Sequence, residues 1–282
     1  MRNKFLKAQE VLPGVYAITG AAVMRFLIIG SKRALLFDTG YGFVDLKAFV
    51  RTLTDLPLDV VISHGHVDHA GANCYFDEPI YMHPADLPVY KSHQSKEARK
   101  IAFDGLKKVQ TILFFYPHFL PKKYKEEDYL NAPLYHGFTD VREGQVFDLG
   151  GITAEVVEIP GHTPGSIGLY CRELKLFLAS DGINGNPYLF LPESCKLSVY
   201  LESLKKAERL AFDYLLTGHS TQLFPKSKLK DYIDVAENLD FENGQIKKEN
   251  AYAPNVEIRM CSSKQDTGKK KKAFISISAD KL

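Results

Sequence analysis

Seven potential metal ligands follow apolar, strand-like runs in this sequence. His64 and His66 are two residues apart, so in an extended segment their side chains point to the same side and can share one ion. Neutral imidazoles and carboxylates suit zinc, and also iron or manganese. Seven ligands exceed the needs of one tetrahedral ion and match two ions bridged by a shared carboxylate. The runs VVISHGHVDHAG, EIPGHTPGS, FLASDG and LLTGHS supply His64, His66, Asp68, His69, His162, Asp181 and His219.

A chance cluster in a chain of nine histidines is the alternative interpretation. Five of the nine stand where a predicted strand meets a loop, beside Gly or Asp, and this joint pattern favours a shared site. The other four lie in or beside residues 84–140, and we expect them to have no partners there and to line a surface or a pocket. These four are His83, His93, His118 and His136.

The predicted elements explain how the ligands come to be fixed. Residues 11–40 alternate apolar runs with glycine-containing turns, which predicts a strand meander. Residues 46–57, 197–212 and 225–243 have helical spacing of apolar residues. Short strands are predicted before each ligand and in the tail, within VEIRMCSS and KAFISIS. Residues 84–140 interrupt this rhythm and are predicted to be a mostly helical insertion, with an amphipathic helix over 95–116.

Composition bounds the class of protein. The chain has 282 residues, 45% hydrophobic and 25% charged, which predicts one large domain over 1–282 with the insertion at 84–140. Such a chain folds without a structural metal, so a metal site would be functional. The net charge of +2 gives no case for nucleic-acid or membrane binding. We interpret the basic run at 269–272 as a solvated turn.

Cysteine spacing and the N-terminus predict a cytoplasmic location. There is no CxxC pair, and the first 20 residues lack the apolar stretch of a signal peptide. Free thiols are typical of a reducing compartment. The four cysteines are Cys74, Cys171, Cys195 and Cys261.

The stretches LLFDTG, SHGHVDHAG, PGHTPGS, ASDG and TGHS resemble, in order and approximate spacing, the motifs of the metallo-β-lactamase superfamily. The resemblance covers residues 11–83 and 141–235. It implies an α/β (α+β) fold, a four-layer αββα sandwich with two divalent metal ions at one edge. It also implies that Asp38 supports the metal loop by hydrogen bonding to backbone or to a ligand imidazole; a simple turn before Gly40 is the alternative. By position, His64, His66 and His162 would bind the first metal, Asp68, His69 and His219 the second, and Asp181 both.

The implied activity is binuclear hydrolysis of an ester, thioester or lactone in a small molecule. A hydroxide activated by two metals would attack the carbonyl, with Asp68 as the catalytic residue that orients it. Zinc is the first expectation, with iron or manganese as alternatives. The ligand set resembles the glyoxalase II and lactonase branches. However, GINGNPYLFLPES follows Asp181 where the glyoxalase II branch has a Gly-Cys-Gly-Arg-like segment, and Tyr188 is shifted from the lactonase tyrosine.

Other functions of the same fold remain open at this point. An iron-dependent oxidoreductase similar to the persulfide dioxygenases is one, and a phosphodiesterase or β-lactamase-like hydrolase is another. We expect a small-molecule substrate as the partner, and neither nucleic acid nor membrane. The aromatic insertion forms either an apolar substrate wall or a packing surface, which includes a homodimer contact.

Overall fold

The computed structural model describes residues 5–112, 120–121, 124–247, 250–265 and 273–282. Its first sheet has seven strands in chain order, antiparallel up to the fourth and parallel from there. They are β1 (Lys7–Leu12), β2 (Val15–Gly20), β3 (Val23–Ile29), β4 (Ala34–Phe37), β5 (Leu58–Ile62), β6 (Ile80–Met82) and β7 (Thr139–Asp140).

Two further sheets follow in the second half. The smaller of the two, the third sheet, has four strands, which are β12 (Tyr188–Leu189), β15 (Gln245–Lys247), β16 (Ile258–Cys261) and β17 (Ile275–Ile277). In this sheet β12 pairs with the C-terminal strands. The six-stranded second sheet contains β8 (Val146–Asp148), β9 (Thr153–Glu158), β10 (Ile167–Cys171), β11 (Leu176–Ser180), β13 (Tyr214–Thr217) and β14 (Ser220–Pro225).

Seven α-helices lie in the described residues. None of the described helices is long and apolar enough to cross a membrane. The helices are α1 (Leu46–Val50), α2 (Val67–Ala70), α3 (Leu87–His93), α4 (Lys96–Ile112), α5 (Glu126–Leu130), α6 (Leu197–Arg209) and α7 (Lys228–Glu237).

The core is arranged in four layers. Phe26 and Phe37 of the first sheet pack against Leu169 and Leu178 of the second, which makes the central interface apolar. Helix α1 lies on the far face of the first sheet, because its residue Leu46 belongs to the hydrophobic cluster on that face. Helices α6 and α7 cover the far face of the second sheet. The αββα sandwich is therefore confirmed, and strands such as β5 are buried along their whole length because layers cover both faces.

Residues 84–140, which were predicted to be an insertion, contribute α3, α4 and α5, and they pack onto the loop that carries the histidines. Phe103 and Tyr129 share a buried cluster with Phe43 and Val67, the residue directly before Asp68. These contacts favour the packing role for the described part of the insertion. The end of the predicted amphipathic helix beyond Ile112, His118 and the basic run at 269–272 lie outside the described residues.

Two predicted helices were too long, and several strands were missed. The helix that was predicted to start at Leu46 and stop before Pro57 already ends at Val50, because residues 51–53 form turns and Pro57 favours an extended residue before it. The helix predicted over 225–243 covers only Lys228–Glu237, since Leu239 leaves it to form a β-bridge with Ser263. Strands β1, β6, β7, β12, β14 and β15 were not predicted, and β7 lies within the segment predicted to be mostly helical. All four cysteines are free thiols, as expected.

Candidate metal centre

The seven predicted ligands converge at the carboxyl ends of four strands. His64 follows β5, His162 follows β9, Asp181 follows β11 directly and His219 follows β13. The remaining three belong to α2, where His66 is the N-cap and Asp68 and His69 lie within the helix. The sequence-based expectation that these segments meet is confirmed; that they hold metal ions stays a prediction.

The first group is His64, His66 and His162, whose ligand nitrogens lie within 4.8 Å of one another. His66 Nδ1 is 3.0 Å from His162 Nε2. His162 Nδ1 donates to the carbonyl of Tyr188 at 3.0 Å, so its Nε2 keeps a lone pair that faces the group. In the sequence, Tyr188 is of interest because its side chain could correspond to the lactonase tyrosine. In the structure, the backbone carbonyl of Tyr188 positions His162, which is a predicted ligand.

The second group is Asp68, His69 and His219. Asp68 Oδ2 lies 3.5 Å from His69 Nε2 and 3.7 Å from His219 Nε2. Asp181 lies between the groups: its Oδ2 is 3.1 Å from His219 Nε2 and 3.8 Å from His69 Nε2, and it also forms a set of three with His64 and His69. This is the arrangement that two ions with a bridging carboxylate need.

Three buried polar atoms in the cluster have no hydrogen-bond partner among the described residues. They are His64 Nε2, His69 Nε2 and Asp181 Oδ1. Buried polar atoms are normally satisfied, because burial without a partner costs about 1–3 kcal/mol each. Five imidazoles and two carboxylates also form a donor set that divalent ions of the zinc type accept. The residues present therefore fit such ions.

Electrostatics of the metal-free cluster keep both carboxylates ionised. Burial raises the pKa of Asp68 and Asp181, but the neighbouring His69 and His219 outweigh it, and both pKa values fall below the usual range. Burial lowers the pKa of His219, but Asp181 more than compensates and raises it to about 9. Burial holds the pKa of His64 well below its usual value, which keeps this imidazole neutral.

Asp38 forms hydrogen bonds to several residues that hold the candidate metal centre in place. Its Oδ1 accepts the backbone N–H of Ser63 at 2.7 Å, and its Oδ2 accepts the hydroxyls of Ser63 and Ser180 at 2.8 Å each. The same Oδ2 lies 2.9 Å from His69 Nδ1. The expected bond from Asp38 to a predicted ligand is confirmed, and Ser63 and Ser180 are additions that no spacing signal marked.

Two of the four remaining histidines correct the sequence-based expectation that they lack partners. His83 Nε2 is 3.0 Å from Glu158 Oε1, away from the seven side chains. His93 is buried and lies at the centre itself: its Nε2 is 2.8 Å from Glu193 Oε1, and the same oxygen is 2.9 Å from His66 Nε2. Glu193 was also missed, because nothing in its PES context indicates that it meets a histidine 127 residues away. His136 is exposed.

The fold and the cluster together define a divalent-metal-binding sandwich, and comparison with known proteins gives its family. The family model described as the metallo-beta-lactamase superfamily matches residues 22–219. The chain belongs to this superfamily. Its fold implies divalent metal binding and its members are mostly metal-dependent hydrolases, so this protein is a metal-dependent hydrolase.

Two similar proteins have named activities. The acyl-coenzyme A thioesterase MBLAC2 of Gallus gallus is 27% identical over 214 residues, which cover 69% of this chain and 71% of that protein. The hydroxyacylglutathione hydrolase GloC of Haemophilus influenzae is 26% identical over 156 residues, which cover 53% of this chain and 61% of that protein.

Solved structures support the fold. A metallo-beta-lactamase family protein from Thermus thermophilus has a TM-score of 0.55 at 19% identity, covering 79% of each chain. The sec-alkylsulfatase Pisa1 from Pseudomonas sp. has a TM-score of 0.61 at 17% identity, covering 82% of this chain and 42% of that one. At these identities the likeness concerns the fold alone.

Proposed function

We propose that this protein is a two-metal hydrolase that cleaves thioesters of small molecules by attack of water on the carbonyl. The observation that carries the proposal is the pair of three-residue groups with Asp181 between them, together with the unpartnered atoms that face the cluster. The groups would hold one ion each, with His64, His66 and His162 on the first and Asp68, His69 and His219 on the second.

The choice of thioesters rests on the similar proteins. Both MBLAC2 and GloC are named for the hydrolysis of a thioester, one of coenzyme A and the other of glutathione. Of the three carbonyl substrates that the motifs leave open, this observation favours the thioester over the ester and the lactone. Zinc is the proposed metal, because imidazole and carboxylate ligands suit it.

The cluster is most open on the side of the second group. The side chains of His219 and Asp68 are 42% and 20% exposed, whereas His64 and His162 of the first group are almost wholly buried. Substrate would approach from this side. When bound, the two ions supply Lewis acidity, which lowers the pKa of water and polarises the carbonyl.

Asp68 is the proposed catalytic residue. Its ionised carboxylate on the open side would accept a hydrogen bond from the attacking water and orient it toward the carbonyl carbon. The oxygen of water bonds to that carbon, the carbon–sulfur bond breaks, and the proton from water goes to the leaving thiolate through Asp68. The products are a carboxylic acid and a thiol.

The test combines metal quantification with a substrate panel. We expect close to two zinc equivalents per chain and turnover of an acyl-coenzyme A or an acylglutathione above that of lactones, esters, phosphodiesters and β-lactams. His66→Ala and Asp181→Ala should each abolish turnover. His136→Ala serves as the control, because this histidine is exposed and outside the cluster.

Three results would contradict the proposal in whole or in part. Full activity in either ligand variant would contradict the two-metal assignment. One iron per chain together with oxygen consumption on a persulfide would replace hydrolysis by oxidation. Turnover confined to lactones would leave the metal centre standing and reject the thioester.

A further inference from the structure

Glu193 connects a predicted ligand of the first metal with a histidine of the insertion. Its Oε1 lies 2.9 Å from His66 Nε2 and 2.8 Å from His93 Nε2. All three side chains are largely buried, at 17% exposure for Glu193 and below 10% for the two histidines. The two imidazole nitrogens therefore share one carboxylate oxygen, which can accept a hydrogen bond from each of them.

A stack of rings fixes the plane of His66. The ring of His93 lies over that of His66 with a centroid distance of 4.1 Å and an interplanar angle of 29°. Tyr252 also stacks on His93, with a centroid distance of 5.2 Å and an interplanar angle of 17°, and its hydroxyl donates to the carbonyl of Ala98 at 3.0 Å. The loop that carries His66, the segment that carries His93 and the C-terminal segment that carries Tyr252 therefore meet at the imidazole of His93.

The two nitrogens of His66 have different tasks in this arrangement. The Glu193 oxygen is the acceptor for both imidazoles, so the nitrogen of His66 that faces it carries the proton. In a neutral imidazole this leaves the lone pair on Nδ1, which is the atom 3.0 Å from His162 Nε2 in the first group. Outer carboxylates of this kind fix the tautomer and orientation of metal-binding histidines.

We propose that Glu193 and His93 are positioning residues that hold His66 as its Nε2–H tautomer and so present Nδ1 to the first metal. This inference rests on the metal centre of the proposed function, and it gives His93 a role that the sequence did not indicate. His93 acts through Glu193: its N–H shares the acceptor oxygen and prevents the carboxylate from turning to solvent. Asp38 occupies the corresponding position behind His69 in the second group.

The test uses Glu193→Gln, which keeps the size of the side chain. The amide can donate to His66 Nε2 and thereby stabilise the wrong tautomer. We expect the affinity for the first cobalt or zinc ion, measured by chelator competition, to fall by about 10- to 100-fold, with the second ion's affinity unchanged. Nitrogen-15 NMR of the metal-free protein should show His66 losing its preference for the Nε2–H form.

Three further variants separate positioning from a general structural effect. Glu193→Asp restores a carboxylate and should recover part of the affinity. His93→Phe keeps the ring stack but removes one hydrogen bond, so we expect a loss of about fivefold. Glu158→Gln is the matched control: it breaks a His–Glu pair of similar geometry, with 3.0 Å between Nε2 and Oε1, that contacts none of the seven side chains. It should leave both affinities unchanged.

The outcomes are separable from those of the proposed function. The inference is overturned if Glu193→Gln, shown to be folded by circular dichroism, keeps the wild-type affinity for the first ion and the wild-type tautomer. It is also overturned if the wild type binds a third cobalt ion that the Glu193 and His93 variants alone lose, since these residues would then form an accessory cation site. If the wild type hydrolyses no substrate, the metal affinity and the tautomer of His66 can still be measured, and only the proposed function is rejected.

Discussion

The Nδ1 atom of His69 lies 2.9 Å from Oδ2 of Asp38, and both side chains are at most 1% exposed. Asp38 itself has a positive φ of 69°, a conformation that Asp and Asn tolerate better than other non-glycine residues. The site therefore combines a strained backbone position with a buried carboxylate that orients one imidazole. Strain of this kind persists where the surrounding structure over-determines it.

Asp38→Asn separates the charge from the backbone conformation. Asn keeps the volume and accepts the positive φ, but its amide no longer requires a proton on His69 Nδ1. We expect the affinity for the second metal ion to fall by about 10- to 100-fold, with the first ion retained. The measurement is stepwise removal of zinc by a chelator.

Asp59→Asn provides the control for this prediction. Asp59 is also a buried carboxylate, but it forms a two-pronged bond with Arg33, at 2.9 Å for each contact, at the start of β5. Its loss should lower thermal stability and leave both metal affinities unchanged. Equal effects of the two variants on metal binding would argue that Asp38 acts only through stability.

Gly218 leaves room for the bridging carboxylate. A Cβ atom at this position would lie 2.2 Å from Asp181 Oδ1 and 2.8 Å from His69 Cε1. Gly218→Ala should therefore displace the Asp181 side chain and reduce metal content below two equivalents, measured by elemental analysis. A variant that still binds two ions with wild-type affinity would show that Asp181 does not need its present position.

Gly105→Ala is the matched control for the glycine substitution. Gly105 lies in α4, and no described atom beyond its own helix comes within 4 Å of the added Cβ. Because alanine favours a helix over glycine by about 0.5–1 kcal/mol, this variant should melt slightly higher than the wild type with unchanged metal content.

The sequence predicted the cluster because its members stand in local patterns, such as HxHxDH after an apolar run. Periodicity predicted the separate helices and strands near the motifs, whereas their arrangement in four layers was implied by the resemblance to the superfamily. Glu193 and His93 could not be found in this way: they are far apart in the chain, and only the packing of α3 against the loop after β12 brings them together. Strand β14 was missed because an edge strand with intermediate burial has weak alternation.

His219 allows binding and stability to be separated. Its side chain is 42% exposed, the largest value in the cluster, so His219→Ala removes little buried surface. In the metal-free protein, at a pH above the His219 pKa of about 9 where its ion pair with Asp181 no longer contributes, we expect a change in the free energy of unfolding within about 1 kcal/mol. The second ion should nevertheless be lost, as seen by one zinc equivalent instead of two. A large fall in the stability of the metal-free variant would contradict this separation.

Phe103 tests whether the insertion supports the metal loop. It is buried in the cluster that contains Val67, and its ring meets that of Phe43 at a centroid distance of 6.4 Å. Phe103→Ala should lower the free energy of unfolding by about 3 kcal/mol, because the cavity lies between the insertion and the loop. Metal affinity should fall with it. If substrate preference alone changes, the insertion acts as a substrate wall.

Removal of the metals should destabilise the folded protein. Without them, His64 Nε2, His69 Nε2 and Asp181 Oδ1 are buried without hydrogen-bond partners among the described residues. Ions that bind only the folded chain stabilise it by RT ln(1 + [L]/Kd), about 2.7 kcal/mol at a hundredfold excess over Kd. We expect the melting temperature to fall on chelation and to recover when zinc is added back. In Asp181→Ala the difference between chelated and zinc-loaded melts should shrink, because the shared ligand is gone. An equal shift in that variant would mean that zinc stabilises the protein from another site, and the convergence of these side chains would then need a different physical cause.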